Sequence, residues 1–157
     1  MSIGKIRNIG SQSGGGGSKY YLYKKSEGIS TFKNLRTWKG SASFAPTTDG
    51  FKIQTSANCT TAIGKSGVDL TPYSKMGITL TVFGNPGSGQ VGFTESSNIG
   101  NAGGKYADFY VNGNMFDKLP KTFMVDISDV NASHEVGLFI SVTNAITIVF
   151  SDMWLEK

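Results

Sequence analysis

Met76, Ile78, Leu80 and Val82 take every second place in a run whose gaps hold Gly77, Thr79 and Thr81. A period of two puts one set of side chains on a single side of a pleated strand, so this run predicts a half-buried strand. The pattern returns at Phe123, Val125 and Ile127, at Leu138, Ile140 and Val142, and at Ile146, Ile148 and Phe150. Shorter candidates lie at Tyr21–Lys24, Gly50–Gln54, Thr60–Ile63, Gln90–Thr94 and Tyr106–Val111. Turn chemistry separates them: PTTDG at 46–50, NPGSG at 85–89, NIGNAGG at 98–104 and VNGN at 111–114. No stretch carries a convincing helical period, and no segment repeats.

About eight to ten short strands with turns between them predict an all-β sandwich or barrel. One polar face per strand favours antiparallel sheets, because parallel sheets are covered on both sides. In DLTPYSKMGITLTVF, residues 69–83, Pro72 stands just ahead of the first alternating run. A fixed φ and a missing N–H suit a corner that leads into a strand, so this stretch reads as a corner of the sandwich.

Composition agrees with that architecture. The chain has 157 residues, 38% hydrophobic and 17% charged, with 21 glycines, a profile that suits a turn-rich β protein. The length fits one domain with an arm to spare. Cys59 is the single cysteine, which excludes an intrachain disulfide and a cysteine-based metal site and allows folding in a reducing compartment. The N-terminal MSIGKIRNIG is basic but is not followed by the apolar run of a secretory signal. Synthesis in a cytoplasm without a signal peptide is therefore expected, and membrane insertion is not.

Charge is divided unevenly. Residues 1–40 hold eight Lys/Arg and one Glu, a net +7, whereas residues 41–157 hold seven Lys/Arg and ten Asp/Glu, a net −3. The basic character thus belongs to the front of the chain. A nucleic-acid binder would spread its cations over a face of the folded body, so nucleic acid is not an expected partner.

Three regions follow from these contrasts. Ile3, Ile6 and Ile9 recur every third position among Lys5 and Arg7, and SQSGGGGS follows at 11–18 as a flexible linker. Residues 1–19 are read as an anchoring arm and linker, and residues 20–157 as the β-sandwich domain. The isoleucines and cations could line a short docking segment; the other reading is an ordinary unstructured tail.

The order YYLYKKSEG, a lone tryptophan in LRTWKG, FKIQ, GVDLTPYSKMGITLTV and a terminal ITIVFSDMWLEK resembles the galactose-binding-like jelly rolls of phage and prophage structural proteins. The resemblance spans roughly residues 20–157. It implies an antiparallel jelly-roll sandwich used in tail tips, baseplates, tail fibres and head fibres as an adhesive, carbohydrate-binding module, with an arm that anchors in the particle. The RTWKG loop departs from the glycine-rich segment that often precedes this tryptophan in the family. The structural calcium frequent in the family would find its hard-ion site in DISDVNAS, where Asp126, Asp129 and Asn131 could supply oxygens. Their spacing does not match an EF-hand loop, and a strand-end turn accounts for the same residues. No other cofactor is expected.

Catalysis has little to stand on. His134, the single histidine, lies in SHEVG without a nucleophile elbow elsewhere in the chain, and reads as an ordinary surface residue. The richer constellation is KYADFYV at 105–111. On a strand, Ala107, Phe109 and Val111 would face the core while Tyr106, Asp108 and Tyr110 face outward together. Two tyrosines and a carboxylate offer a flat apolar surface for a sugar ring and an acceptor for its hydroxyls. Phe93 from a neighbouring strand, or Trp38 from a loop, would complete that surface. Cross-strand packing, or contact with another subunit, are the competing explanations of the same tyrosines. Arg36, Trp38 and Lys39 read as a solvated loop, with acidic-glycan binding the alternative. Trp154 reads as packing and Cys59 as a small buried hydrophobe.

The expectation is a non-enzymatic virion component, a tail, baseplate or head fibre or decoration module. It would bind cell-surface glycans weakly, contact capsid or tail proteins through its arm and assemble as a homo-oligomer. A purely architectural subunit is the rival from another class, and a carbohydrate-active enzyme a third.

Overall fold

A computed structural model describes residues 18–27, 32–99, 106–108 and 120–157, with the backbone alone at Ser26 and at 106–108. Ile3, Lys5, Ile6, Arg7, Ile9 and Tyr110 lie outside the described residues. The chain is all-β, as the alternation predicts. Eleven strands are described: β1 (Lys19–Lys24), β2 (Lys33–Lys39), β3 (Ala42–Thr47), β4 (Gly50–Thr55), β5 (Cys59–Asp69), β6 (Lys75–Phe83), β7 (Gly89–Ser96), β8 (Tyr106–Asp108), β9 (Lys121–Asp126), β10 (Ser133–Val142) and β11 (Thr147–Glu156). A single 3-10 turn, Lys25–Glu27, is the helical element among the described residues.

The strands form two antiparallel sheets. One runs β3-β4-β11-β6-β9, with β1 also paired to β11; the other runs β2-β5-β10-β7-β8. From β4 onward the chain passes repeatedly between sheets, so neighbours in sequence often lie in opposite layers. The Asp69–Phe83 stretch makes one such passage. Asp69 ends β5 in the second sheet, Tyr73 N–H donates to the Leu70 carbonyl to close a turn, and Lys75 opens β6 in the first. The Asp69 carboxylate caps the turn by accepting from Thr71 N–H at 3.0 Å. The corner read from Pro72 is present.

The inward set of each strand fills the space between the sheets. Met76, Ile78, Leu80 and Val82 meet Val136, Leu138, Ile140 and Val142 in one buried cluster with Ile148 and Phe150. Phe150 stacks on Phe51 at 4.9 Å between centroids, and Tyr23 and Phe32 meet it edge-on. Cys59 is fully buried, and burial pushes its thiol pKa up, which disfavours the nucleophilic thiolate.

Two strands were not visible in the pattern. β2 covers the segment read as the Trp38 loop, and β3 carries Pro46 on the edge of its sheet, where the missing N–H is tolerated. β2 has no clean alternation, because register shifts between Asn34 and Arg36 and between Thr37 and Lys39 break its period.

Candidate functional site

The outer face of the β2-β5-β10-β7-β8 sheet can be assembled row by row from the register. One row runs Arg36, Ala62, Phe139, Gly92 and position 108; the adjacent outward row runs Lys33, Gly64, Gly137, Thr94 and position 106. The inward row between them holds Asn34, Ile63, Leu138, Phe93 and position 107. Positions 106 and 108 of β8 thus end the two outer rows, and position 107 ends the row between them.

Phe93 does not share that face. It is 0% exposed and pairs with Leu138 and Ala107 on the core side, so it cannot contribute to a ligand surface with Tyr106 and Asp108. The physical reason is parity: outward positions of β7 are Gly92 and Thr94, and Phe93 falls between them.

Trp38 is on the outer face, but from a strand rather than a loop. The β2 bulge sets two residues, Trp38 and Lys39, against Thr60 alone, and such a bulge re-aims a side chain. The indole is 43% exposed and meets the Phe139 ring edge-on, 6.0 Å between centroids and 71° between planes. The Arg36 guanidinium lies 5.5 Å from the indole centroid, within cation–π range. Beneath them, Thr61 Oγ1 donates to the Arg36 carbonyl and shares a hydroxyl pair with Thr37, and Asn34 Nδ2 donates to Thr37 Oγ1 at 2.6 Å. These bonds hold an irregular edge strand against β5. The Arg36, Trp38, Lys39 cluster is thus a built edge, and its reading as a solvated loop is corrected.

Accessible surface on this face concentrates at Lys33, Arg36, Trp38 and Gln90, with Thr60, Phe139 and Ser141 half-buried beside them. Away from β2 the face is made of small residues. Gly64 and Gly137 oppose each other across β5 and β10, so close that a Cβ on either would overlap the other strand's backbone. Ala62, Gly64, Gly92 and Gly137 are all buried. Exposed chemistry on this face is thus confined to the β2 edge and its neighbours, an aromatic pair and a guanidinium beside strands whose small outward residues are buried.

Phe139 was missed by the sequence reading, although its signal was present. In Leu138–Val142 the inward set is Leu138, Ile140 and Val142, which leaves Phe139 as a lone aromatic at an outward position.

His134 also departs from expectation. Its Nδ1 contacts the Glu95 carboxylate, and Glu95 is 2% exposed, so His134 is the partner of a buried acid rather than an ordinary surface residue. Glu135, the next residue, accepts a hydrogen bond from Ile99 N–H at 2.8 Å. Both contacts tie the end of β7 to the start of β10. Asp126 is engaged within its own turn, accepting from Ser128 N–H and Ser128 Oγ. Among the described residues no group of three His, Cys, Asp or Glu side chains is placed to share a metal ion, and no helix is long and apolar enough to cross a membrane.

No protein-family model matches the chain, and no curated protein matches it. Solved structures do match in fold. A point mutant of a family 29 carbohydrate-binding module is similar over 87% of this chain and 89% of its own, with a TM-score of 0.56 at 8% identity. A family 11 carbohydrate-binding module from Clostridium thermocellum, in complex with a β-1,3-1,4-mixed-linked tetrasaccharide, is similar over 88% of this chain and 95% of its own, with a TM-score of 0.56 at 13% identity. A structure described as a basis for promiscuous specificity of carbohydrate-binding modules from the β-sandwich superfamily reaches a TM-score of 0.69 at 13% identity, over 87% of this chain and 62% of its own. The chain therefore has the β-sandwich fold of carbohydrate-binding modules.

Proposed function

We propose that this chain is a non-catalytic glycan-binding module that holds saccharides on the outer face of the β2-β5-β10-β7-β8 sheet. The observation that carries the reading is the exposed Trp38 standing edge-on to Phe139 with Arg36 beside it. An indole face takes the apolar C–H side of a sugar ring, and the guanidinium donates to its hydroxyls. Ser141 and Gln90 extend the polar set along the same face, and we include Tyr106 and Asp108, at the β8 ends of its rows, in the proposed ligand set. An open platform buries little of a ligand, so binding at one site is weak and depends on repeated copies.

The setting we propose is a phage virion, with the module displayed as a tail, baseplate or head fibre or decoration protein. Support comes from the sequence resemblance and from the basic, isoleucine-bearing arm behind a glycine linker. In that setting the arm meets capsid or tail proteins while the sandwich meets host-surface glycans.

A glycan array probed with multimerised protein tests the reading. Signal on a defined set of saccharides, lost in Trp38→Ala while thermal unfolding is unchanged, is the expected result. Silence across the array, together with Tyr110→Ala disrupting particle assembly, would instead favour a purely architectural subunit.

A further inference from the structure

A second groove lies on the opposite side of the sandwich. On the outer face of the first sheet, Lys52 pairs with Val149, and Gln54 with Thr147, which pairs in turn with Phe83. Thr47 and Asp49 stand at the β3–β4 turn, where Thr47 Oγ1 donates to the Gly50 carbonyl and accepts from Asp49 N–H. Together Thr47, Asp49, Lys52, Phe83, Thr147 and Val149 line a cleft of about 290 Å³. That is close to the lower bound of small-ligand pockets, about 300 Å³.

Its geometry is elongated. From Gly50 at the turn to Gln54, which shares a row with Thr147 and Phe83, β4 advances four residues, or roughly 13 Å at the strand rise. Phe83 closes one end and is 39% exposed, an aromatic left at the outward position of β6 where Thr79 and Thr81 precede it. Asp49 stands at the other end, Lys52 between them, and Val149 and Thr147 form the floor.

Among the described residues, neither the Asp49 carboxylate nor the Lys52 ammonium makes a hydrogen bond or ion pair, and the two are not bridged to each other. An open acceptor, an open donor and an aromatic edge thus converge on one groove. The groove carries no net charge, which removes long-range steering of an anion, a polycation or a nucleic-acid backbone. What remains suits a neutral, polyhydroxylated ligand: apolar ring faces for Phe83 and Val149, and hydroxyls for Asp49, Lys52 and Thr147.

We propose that this groove is a second saccharide site for neutral oligosaccharide chains, opposite the Trp38 face. The choice of ligand class rests on the glycan-binding reading above. Two sites on opposite layers make each domain bivalent, so a single copy bridges two glycan chains.

Calorimetric titration of the full chain with the β-1,3-1,4-mixed-linked tetrasaccharide tests this, using wild type, Trp38→Ala, Phe83→Ala and Asp49→Asn. Two sites per chain are expected. Phe83→Ala should remove one and Trp38→Ala the other. Asp49→Asn should weaken the Phe83 site by about threefold or more with unfolding unchanged, the loss of one charged acceptor. One site that disappears in Trp38→Ala and persists in Phe83→Ala would overturn the second site and leave the first standing. One site that disappears only in Phe83→Ala would uphold the second site and overturn the first. Absence of binding in wild type overturns both. The bivalent consequence has its own readout: wild type should cross-link soluble mixed-linkage β-glucan into turbid aggregates, and Phe83→Ala should not.

Discussion

Tyr23 shows what a single buried group does to stability. Its ring packs against Phe51 and Phe150, and its hydroxyl is buried without a hydrogen-bond partner among the described residues. A buried polar atom left unpaired costs about 1–3 kcal/mol, so Tyr23→Phe should stabilise the domain by about 1 kcal/mol, read as a higher denaturation midpoint at unchanged slope. Burial, with the Asp152 charge second, raises the Tyr23 pKa above its ordinary value. Tyr73 is raised as well, by burial first and then by Tyr20 and Asp69. A phenol whose pKa is higher in the folded state holds its proton more tightly there. Its contribution is complete below the unfolded pKa of about 10 and is lost as pH rises through the folded value. Wild-type stability should therefore fall above about pH 10, and Tyr23→Phe should flatten that fall. A curve equally steep in the variant would assign the alkaline loss elsewhere. Gly137→Ala should act in the opposite direction, costing about 1–3 kcal/mol, because its Cβ has only Ile63 and Gly64 backbone to displace.

At the scale of elements, the junction of β7 and β10 depends on Glu95 and His134. Glu95 sits opposite Val136 at an inward position, where a carboxylate needs partners. Removing the imidazole should cost about 1–3 kcal/mol in His134→Ala, and His134→Gln, which keeps a donor, should recover part of it in the same denaturation assay. This pair was invisible in the sequence, because Glu95 and His134 become neighbours only when β7 and β10 align. The strands themselves were legible wherever one face is buried, since alternation in β6, β9, β10 and β11 reports that burial directly. β2 was not, because its bulges displace Trp38 from the period and its edge position leaves most of its residues exposed. The candidate site was legible in part for the same reason. Trp38 was picked out by residue type but placed on a loop, Phe93 was assigned to the wrong face, and Phe139 went unread beside its aliphatic neighbours.

The described residues form a two-layer body whose proposed ligand chemistry lies on its outer surfaces. Weak sites on such a body gain strength from number, which links the proposed display on a particle to the low affinity of an open platform. Of the eight cations in residues 1–40, Lys5 and Arg7 belong to the proposed arm, whereas Lys33, Arg36 and Lys39 lie on β2 of the sandwich. Deleting residues 1–10 should leave the thermal unfolding of the sandwich unchanged and abolish incorporation into particles, measured by immunoblot of purified virions. Normal incorporation would separate the arm from attachment.

Glycan binding on the β2-β5-β10-β7-β8 face stands or falls with Trp38, Phe139 and Arg36 acting as a saccharide platform. Amide and indole NMR spectra, recorded while the β-1,3-1,4-mixed-linked tetrasaccharide is added, read that platform residue by residue. Progressive shifts of the Trp38 indole N–H and of the Arg36, Phe139 and Ser141 amides are expected, and they should be absent in Trp38→Ala. A spectrum in which those resonances stay fixed at millimolar sugar would rule the platform out.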